Sequence, residues 1–237
     1  MKNWYRKLGF EHDPFTTNPE ADDELVEYQD AINEVAYRID SGSMAFVEGQ
    51  AGMGKTALLV QIINRFEGKG RVIYYDCSEL KKKVEIDMLM KNRFGFFGRL
   101  FNVVPTDMII LLDNVDSLSR ANSERIKYYF DQNNIRSVIF AGESFKKSDL
   151  PQSIKDRIGI HVITLQPLSD YGAVELVSKR LGEHNAMISD EATKLVFTKA
   201  SRNTKKFLEL CSKLFSSLTS HEHSITLDDA RKVLRNV

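Results

Sequence analysis

A glycine-rich segment at residues 49–56 constrains the fold of this chain more than any other feature. It reads Gly-Gln-Ala-Gly-Met-Gly-Lys-Thr and matches the pattern GxxxxGK[ST] at every defined position. The apolar stretch Ser43–Glu48 before it predicts a buried strand, and Lys55–Phe66 after it predicts a helix. Glycines let backbone N–H groups between strand and helix surround a phosphate, and the helix N-terminus adds partial positive charge. The segment therefore predicts a phosphate-binding P-loop.

Four further stretches predict strands, each separated from the next by a segment of helical length. Strands that alternate with helices favour a parallel sheet covered on both faces. The expected fold class is thus an α/β P-loop NTPase with a five-stranded parallel sheet sandwiched by helices. The additional strands are predicted at Arg71–Asp76, Asp107–Asp113, Ser137–Ala141 and His161–Leu165.

Beyond Pro167 the pattern changes, because helical stretches follow one another without an intervening strand. We therefore expect a nucleotide-binding αβα domain at residues 1–166 and a small helical lid domain at 167–237. The lid helices are predicted at Ser169–Leu181, Ser189–Ala200, Asn203–Leu218 and Leu227–Leu234.

The composition excludes several classes of protein. Lysine plus arginine equals aspartate plus glutamate at 33 each, so no overall positive field draws the chain onto nucleic acid. Apolar runs of about 18 residues and a signal peptide are both absent from the sequence. Cys77 and Cys211 lie in apolar stretches, which suits thiols of a reducing compartment. We expect a cytoplasmic protein that does not span a membrane.

The residue types of the loop indicate ATP and Mg²⁺ as cofactors. Lys55 is expected to reach the β- and γ-phosphates, and the Thr56 hydroxyl to ligate Mg²⁺. The other contacts are expected from the segment itself. The predicted nucleotide site comprises Gly49, Gln50, Ala51, Gly52, Met53, Gly54, Lys55, Thr56 and Ala57.

The stretch Met108–Asp113 is an apolar strand that ends in a carboxylate, as a Walker B strand does, so Asp113 is the second predicted metal ligand. Asn114 follows, where many hydrolysing P-loop ATPases have a glutamate that polarises the attacking water. Asparagine orients water through its carbonyl oxygen but cannot accept a proton. Asp116 is an alternative carboxylate two residues further on. Weak turnover is expected.

With these motifs in place, the chain resembles the AAA+ ATPases, whose fold ends in a helical lid. Its opening Trp4-Tyr-Arg-Lys-Leu-Gly-Phe, with Asp13-Pro14-Phe15 and Asn18-Pro19, is similar to the opening of ExeA-type and transposition-accessory ATPases. Tyr74-Tyr-Asp-Cys77 and the stretch at 156–167 resemble archaeal and eukaryotic replication initiators of the origin-recognition type. Because the sequence stops just after the predicted lid, the winged-helix DNA-binding domain of the initiators is not expected.

The resemblance also implies roles outside the loop. Either Glu143 or Ser144 fills the sensor 1 position, where a polar side chain contacts the γ-phosphate or the water. Arg157 matches the arginine finger that enters a neighbouring subunit's site; its alternative is a surface arginine paired with Asp156. Lys205 falls at the sensor 2 position, where lysine keeps the charge of the usual arginine but loses its bidentate fork.

Asp76 stands where the initiators often have an asparagine that restrains the catalytic glutamate. Because that glutamate is missing here, Asp76 is expected to have no such task. The aromatic stretch Arg93–Phe101 is interrupted by two glycines. It is either an amphipathic helix on the sheet or a loop that grips a partner or a strand.

Two classes of function remain. The first is an ATP-driven switch or motor that self-associates through Arg157 into a neighbouring ATP site and acts on DNA or a protein client, as in replication or transposition. The second is a non-hydrolysing nucleotide-binding scaffold or a signalling P-loop ATPase, which Asn114 and Lys205 favour. A small-molecule kinase fits poorly, because the helices after Pro167 do not form an arginine-rich closing lid.

Overall fold

The computed structural model of the chain describes residues 3–19, 25–66, 72–79, 106–218 and 224–235. The aromatic stretch at 93–101 lies outside these residues. Internal contacts divide the chain into two compact units. The sheet unit comprises Tyr28–Ala51 and Lys55–Leu165, and the helical unit comprises Met1–Glu27, Gly52–Gly54 and Gln166–Val237.

Within the residues that the structure describes, the sheet unit contains five parallel strands in the order β2-β3-β4-β1-β5, which confirms the predicted fold class. Helices flank the sheet. The strands are β1 (Met44–Glu48), β2 (Val72–Asp76), β3 (Met108–Asp113), β4 (Ile135–Gly142) and β5 (Val162–Thr164). The described helices of this unit are α2 (Gln29–Asp40), α3 (Lys55–Phe66), α4 (Arg120–Asp131) and α5 (Gln152–Ile158), and α1 (Trp4–Lys7) belongs to the helical unit.

The central strands are mostly apolar, as is usual where both faces of a sheet are covered. Every residue of β3 is buried, and so are seven of the eight residues of β4. The parallel register brings the carboxyl ends of the strands to one edge, where Glu48 pairs with Gly142 and Asp76 with Asp113. Ligand sites of open parallel sheets form at this edge.

The helical unit contains the four helices predicted after Pro167. Each begins behind a side chain that accepts a backbone N–H, the usual N-cap arrangement. They are α6 (Asp170–Leu181) behind Ser169, α7 (Asp190–Lys199) behind Ser189, α8 (Thr204–Phe215) behind Asn203 and α9 (Leu227–Leu234) behind Thr226. Among the described helices, none has the length and apolar character needed to cross a membrane.

The first residues of the chain group with these helices, whereas the sequence placed all of 1–166 with the sheet. Aromatic packing explains the difference. The ring of Phe15 lies 6.4 Å from that of Trp4 and 4.8 Å from that of Phe215 on α8. Asp13 accepts the N–H of Phe15 at 2.9 Å and the hydroxyl of Ser212 at 3.2 Å. The Asp-Pro-Phe motif thus anchors the amino-terminal segment to α8.

Candidate nucleotide site

The glycine-rich segment lies between β1 and α3. The N–H of Gly49 donates to the carbonyl of Gly142 at 3.2 Å, which ties the start of the loop to β4. Gly52 and Gly54 have φ values of 82° and 89°, a left-handed conformation that costs glycine little. Helix α3 begins at Lys55. The N–H groups of its first turn therefore lack intrahelical acceptors and can receive an anion.

The ammonium group of Lys55 lies against the first residues of the loop. The residue is only 7% exposed, and Nζ donates to the carbonyls of Gly49 at 2.6 Å and Gln50 at 3.2 Å. Burial lowers the pKa of Lys55, while nearby carboxylates, Asp113 foremost, act in the opposite direction. A buried cation therefore stands beside the predicted metal ligand.

The two predicted metal ligands contact each other next to this cation. The Thr56 hydroxyl donates to Oδ2 of Asp113 at 2.5 Å, and the Tyr74 hydroxyl donates to the same oxygen at 3.3 Å. Asp113 is completely buried at the end of β3. A carboxylate and a hydroxyl are hard oxygen donors of the kind that Mg²⁺ prefers. The side chains therefore fit a magnesium ion that also binds the phosphates of a nucleotide.

Asn114 follows Asp113 in the left-handed region, with φ 51° and ψ 45°. Its side-chain Nδ2 donates to Oδ1 of Asp76 at 2.9 Å. Asp76 Oδ1 also accepts the N–H of Ser78 at 2.8 Å and its hydroxyl at 2.7 Å. At the sequence level Asp76 has no glutamate at position 114 to restrain, and its contact with Asn114 was not predicted. The register of β2 and β3 nevertheless brings the two side chains together.

The ionisation of Asp76 follows from these contacts. Burial raises the pKa of Asp76, but the hydrogen bonds from Asn114 and Ser78 outweigh it and leave the pKa below its ordinary value. Hydrogen bonds to the charged form of a carboxyl group act in this direction. Asp76 is therefore a carboxylate at neutral pH.

Both candidates for sensor 1 lie in the segment that follows β4. The carboxylate of Glu143 raises the pKa of Lys55, as does that of Asp116. The backbone N–H of Glu143 donates to Oδ2 of Asp116 at 3.2 Å, which joins this turn to the segment after β3. Glu143 thus contributes to the electrostatics around the loop lysine, whereas Ser144 carries no charge.

Glu48, the last residue of β1, was not singled out from the sequence. Its Oε2 accepts the N–H of Phe145 at 3.0 Å, and its Oε1 accepts the Thr164 hydroxyl at 2.9 Å. The carboxylate of Glu48, which immediately precedes the glycine-rich loop, thus links the segment after β4 to the end of β5. A glutamate closing an otherwise apolar strand was the signal that could have identified it.

Arg157 lies on α5 and is engaged within the chain. Its Nη2 donates to Oδ1 of Asp131 on α4 at 2.6 Å, and its Nη1 donates to the carbonyl of Ser153 at 3.2 Å. Pairing with Asp156 is therefore wrong, since Asp156 instead accepts from Gln152 at 2.8 Å. The side chains of Arg157 and Asp131 are 34% and 40% exposed, so the pair contributes little to stability.

The start of α8 contacts the centre of the glycine-rich loop through its main chain. The backbone N–H of Lys205 donates to the carbonyl of Gly52 at 3.0 Å, while its side chain is exposed. A Cβ at position 52 would lie 2.5 Å from Oδ1 of Asn203 and 2.9 Å from Cβ of Lys205. Gly52 therefore needs to be glycine both for its φ and for this close approach.

No protein-family model matches the chain. Among curated proteins it is 22% identical over 203 residues to the chromosomal replication initiator protein DnaA of Geobacter metallireducens, covering 81% of this chain and 44% of that protein. It is 21% identical over 208 residues to the ABC transporter ATM1 of Toxoplasma gondii, covering 86% of this chain and 17% of that protein. The chain thus spans less than half the length of the curated relatives it matches.

Solved structures resemble the chain over most of its length. The ORC1 protein of Aeropyrum pernix in complex with DNA gives a TM-score of 0.73 at 15% identity, covering 95% of this chain and 69% of that one. Cdc6p of Pyrobaculum aerophilum gives a TM-score of 0.72 at 14% identity, covering 96% of this chain and 71% of that one. A RuvB mutant of Thermotoga maritima gives a TM-score of 0.70 at 14% identity, covering 92% of this chain and 73% of that one. The chain therefore has the fold of the AAA+ ATPases and, among them, resembles the initiators of the origin-recognition type.

Proposed function

We propose that the chain binds ATP with Mg²⁺ at the loop between β1 and α3. The observation that carries the proposal is the contact of Thr56 with Asp113 beside the buried ammonium of Lys55. The loop N–H groups and Lys55 would bind the phosphates, and Thr56 and Asp113 would hold the metal. Bound Mg²⁺ supplies positive charge that stabilises the phosphoryl group during transfer.

Hydrolysis at this site would be slow. Asn114 occupies the position next to the metal ligand, and an amide can align a water molecule but cannot take its proton. Phosphoryl transfer has a loose transition state that asks little of a base, so turnover is reduced and not abolished. Glu143 is the preferred sensor 1 residue, because its charge acts on Lys55. The chain would remain in its ATP-bound state for long periods and act as a switch.

The active form would be an oligomer on DNA or on a protein client. The arginine in the finger position is what supports shared sites, since an arginine donated by a neighbour stabilises charge that develops on the phosphates. In the described chain, Arg157 is held by Asp131. Assembly would therefore exchange this ion pair for a contact with a neighbour's nucleotide. DNA is a candidate client because the ORC1 protein of Aeropyrum pernix was solved in complex with DNA.

A second candidate is a scaffold that binds ATP without hydrolysing it. Two observations favour it. Asn114 supplies no base, and Lys205 contacts the loop through its main chain while its side chain is exposed. In that case the nucleotide would only stabilise one arrangement of the chain or of its assembly.

Steady-state ATP hydrolysis measured over a range of protein concentrations, with and without DNA, separates the two candidates. A switch in an oligomer predicts turnover per subunit that rises with concentration and with DNA. A scaffold predicts saturable ATP binding without turnover at any concentration.

The matched controls are Lys55→Ala and Lys127→Ala. The first removes the buried cation of the loop, and the second removes a lysine on α4 that pairs with Glu124 at the surface. ATP binding that survives in Lys55→Ala as it does in Lys127→Ala would contradict the proposal.

A further inference from the structure

The side chain of Asn114 is held in one orientation. Its backbone is fixed on both sides, because its N–H donates to Oδ1 of Asp113 at 2.9 Å and its carbonyl accepts from the N–H of Ser117 at 3.1 Å. Its amide nitrogen donates to Asp76. Asp76 is itself fixed by the N–H and the hydroxyl of Ser78. A chain of hydrogen bonds thus runs from the turn after β2 to the residue beside the metal ligand.

The charge of Asp76 decides which end of the amide faces it. A carboxylate only accepts hydrogen bonds, whereas an amide donates from Nδ2 and accepts at Oδ1. The N–H and the hydroxyl of Ser78 and Nδ2 of Asn114 all donate to Oδ1 of Asp76, so the carboxyl group acts as an acceptor and only Nδ2 of Asn114 can contact it. Oδ1 is therefore the end turned away from Asp76. Within the described residues, this oxygen accepts no hydrogen bond.

We propose that Asp76 is a positioning residue which holds the Asn114 amide with its carbonyl oxygen as the acceptor for the attacking water. An acceptor at this position does what one oxygen of a glutamate carboxylate would do in aligning the water. It takes no proton. As the water oxygen bonds to the γ-phosphorus and the bond to the β–γ bridging oxygen breaks, the proton leaves with the phosphate formed. This role rests on the proposed ATP hydrolysis.

Two other carboxylates compete for the role of aligning the water. Asp116 and Glu143 both raise the pKa of Lys55, so both lie near the loop lysine. Oδ2 of Asp116 accepts the backbone N–H of Glu143 at 3.2 Å, which gives it a structural task in the turn after β4. Asn114 differs from them because it directly follows the metal ligand and has a defined acceptor end.

The test measures turnover over a range of Mg·ATP concentrations in four proteins: wild type, Asp76→Asn, Asp116→Asn and the reciprocal double variant Asp76→Asn/Asn114→Asp. Asp76→Asn is isosteric but replaces a pure acceptor with an amide, so either end of Asn114 can pair with it. Turnover should fall roughly three- to tenfold through kcat with KM nearly unchanged, the loss expected for one charge-assisted contact. Asp116→Asn should reduce turnover less.

The reciprocal double variant is the decisive rescue. It keeps one carboxylate and one amide but exchanges their places, so the amide at 76 donates and the carboxylate at 114 presents its second oxygen to the water. Aspartate tolerates the left-handed backbone of position 114 nearly as well as asparagine does. Turnover should return to at least the wild-type value. A double variant as slow as Asp76→Asn, or an Asp76→Asn variant as fast as wild type, overturns the inference.

Thermal protection by Mg·ATP distinguishes a failure of ATP binding from a failure of the role of Asp76 in hydrolysis. It is measured on the same proteins, with Lys55→Ala as reference. Protection of every variant except Lys55→Ala shows that nucleotide binding stands and that turnover alone decides the role of Asp76. Protection without turnover in the wild type overturns the inference and leaves ATP binding intact. If Mg·ATP does not protect the wild type, the proposed ATP binding is wrong, and so is the role of Asp76 that rests on it.

Discussion

Two regions at the same edge of the sheet match the motifs of P-loop ATPases to different degrees. The glycine-rich loop carries every defined residue of its motif, and its glycines adopt the left-handed conformations that the motif needs. The ends of β2 and β3 depart from the pattern, because Asp76 and Asn114 stand where the initiators often have asparagine and glutamate. The departure is nevertheless ordered, since the two side chains form a hydrogen bond of 2.9 Å.

The comparison separates two properties of an NTPase. Phosphate binding depends on backbone N–H groups and one cation, so it tolerates little change in the loop. Alignment of water depends on an acceptor in the right place, which an amide or a carboxylate can provide. Variation at the ends of β2 and β3 therefore changes the rate of hydrolysis more than the affinity for nucleotide.

Lys55→Ala has the largest expected effect, because it removes the cation that donates to the loop carbonyls of Gly49 and Gln50. ATP at about 100 times its Kd should stabilise the wild type by about 2.7 kcal/mol and the variant hardly at all. Thermal unfolding with and without Mg·ATP measures this difference. Equal protection of both proteins would show that the loop does not bind the phosphates.

Arg157→Ala should leave ATP binding nearly unchanged and reduce turnover by roughly 10³-fold, the lower range for arginine fingers in other NTPases. Mixing this variant with Lys55→Ala should restore turnover, because each protein supplies the group that the other lacks. Asp131→Asn is the matched variant that releases Arg157, and it should raise turnover at low protein concentration. A mixture as inactive as its components, at concentrations where subunits associate, would argue against a shared site.

Asn114→Glu sharpens the comparison at the second region. From the sequence alone, a glutamate at this position is expected to raise turnover about tenfold, or about 1.4 kcal/mol of barrier. The contact with Asp76 changes this expectation, because two carboxylates would then lie side by side. The full increase should therefore appear only in Asp76→Asn/Asn114→Glu, in single-turnover assays with ATP affinity little changed. A single variant faster than the double variant would show that Asp76 does not face position 114.

Gly52→Ala has the smallest expected effect, and it tests how strictly the first region is constrained. The matched control is Gly42→Ala, because both glycines have positive φ but a Cβ at position 42 meets nothing closer than 3.6 Å. Gly52→Ala should lower the free energy of unfolding by about 1 kcal/mol more than the control, through crowding against Asn203. Urea denaturation measures both. Equal losses would show that Asn203 moves away without cost.

Much of the sheet unit could be predicted because its signals are local. Apolar runs bounded by polar residues gave every strand within two residues of its observed ends, and α3 was predicted at its observed bounds. The amino-terminal segment could not be assigned in the same way. Its grouping with α8 depends on Trp4 and Phe15 meeting Phe215, about two hundred positions away in sequence. No periodicity within the segment contains this information.

The candidate site shows the same division. The place of the loop between a strand and a helix, and that of Asp113 at the end of a strand, could be predicted because a motif fixes their spacing. The contact between Asp76 and Asn114 could not, since it depends on the register of β2 and β3 and on the left-handed backbone at position 114. The partner of Arg157 depends on how α4 lies beside α5. Contacts between residues on different elements can be identified only from a structure, whereas residues close together along the chain can be identified from their spacing in the sequence.

The contact between Asp76 and Asn114 also conserves charge. Asparagine at position 76 with glutamate at position 114 brings one negative charge to this edge of the sheet, and so does the pair of Asp76 and Asn114 in this chain. The exchange therefore moves the charge from the end of β3 to the end of β2 without changing its amount. Because the Coulomb energy between a carboxylate and the phosphates depends on charge and distance, moving one negative charge between neighbouring strand ends changes the repulsion of an anionic nucleotide less than adding or removing a charge would. A chain can therefore pass between the two arrangements while the net electrostatics of its binding site stay almost constant.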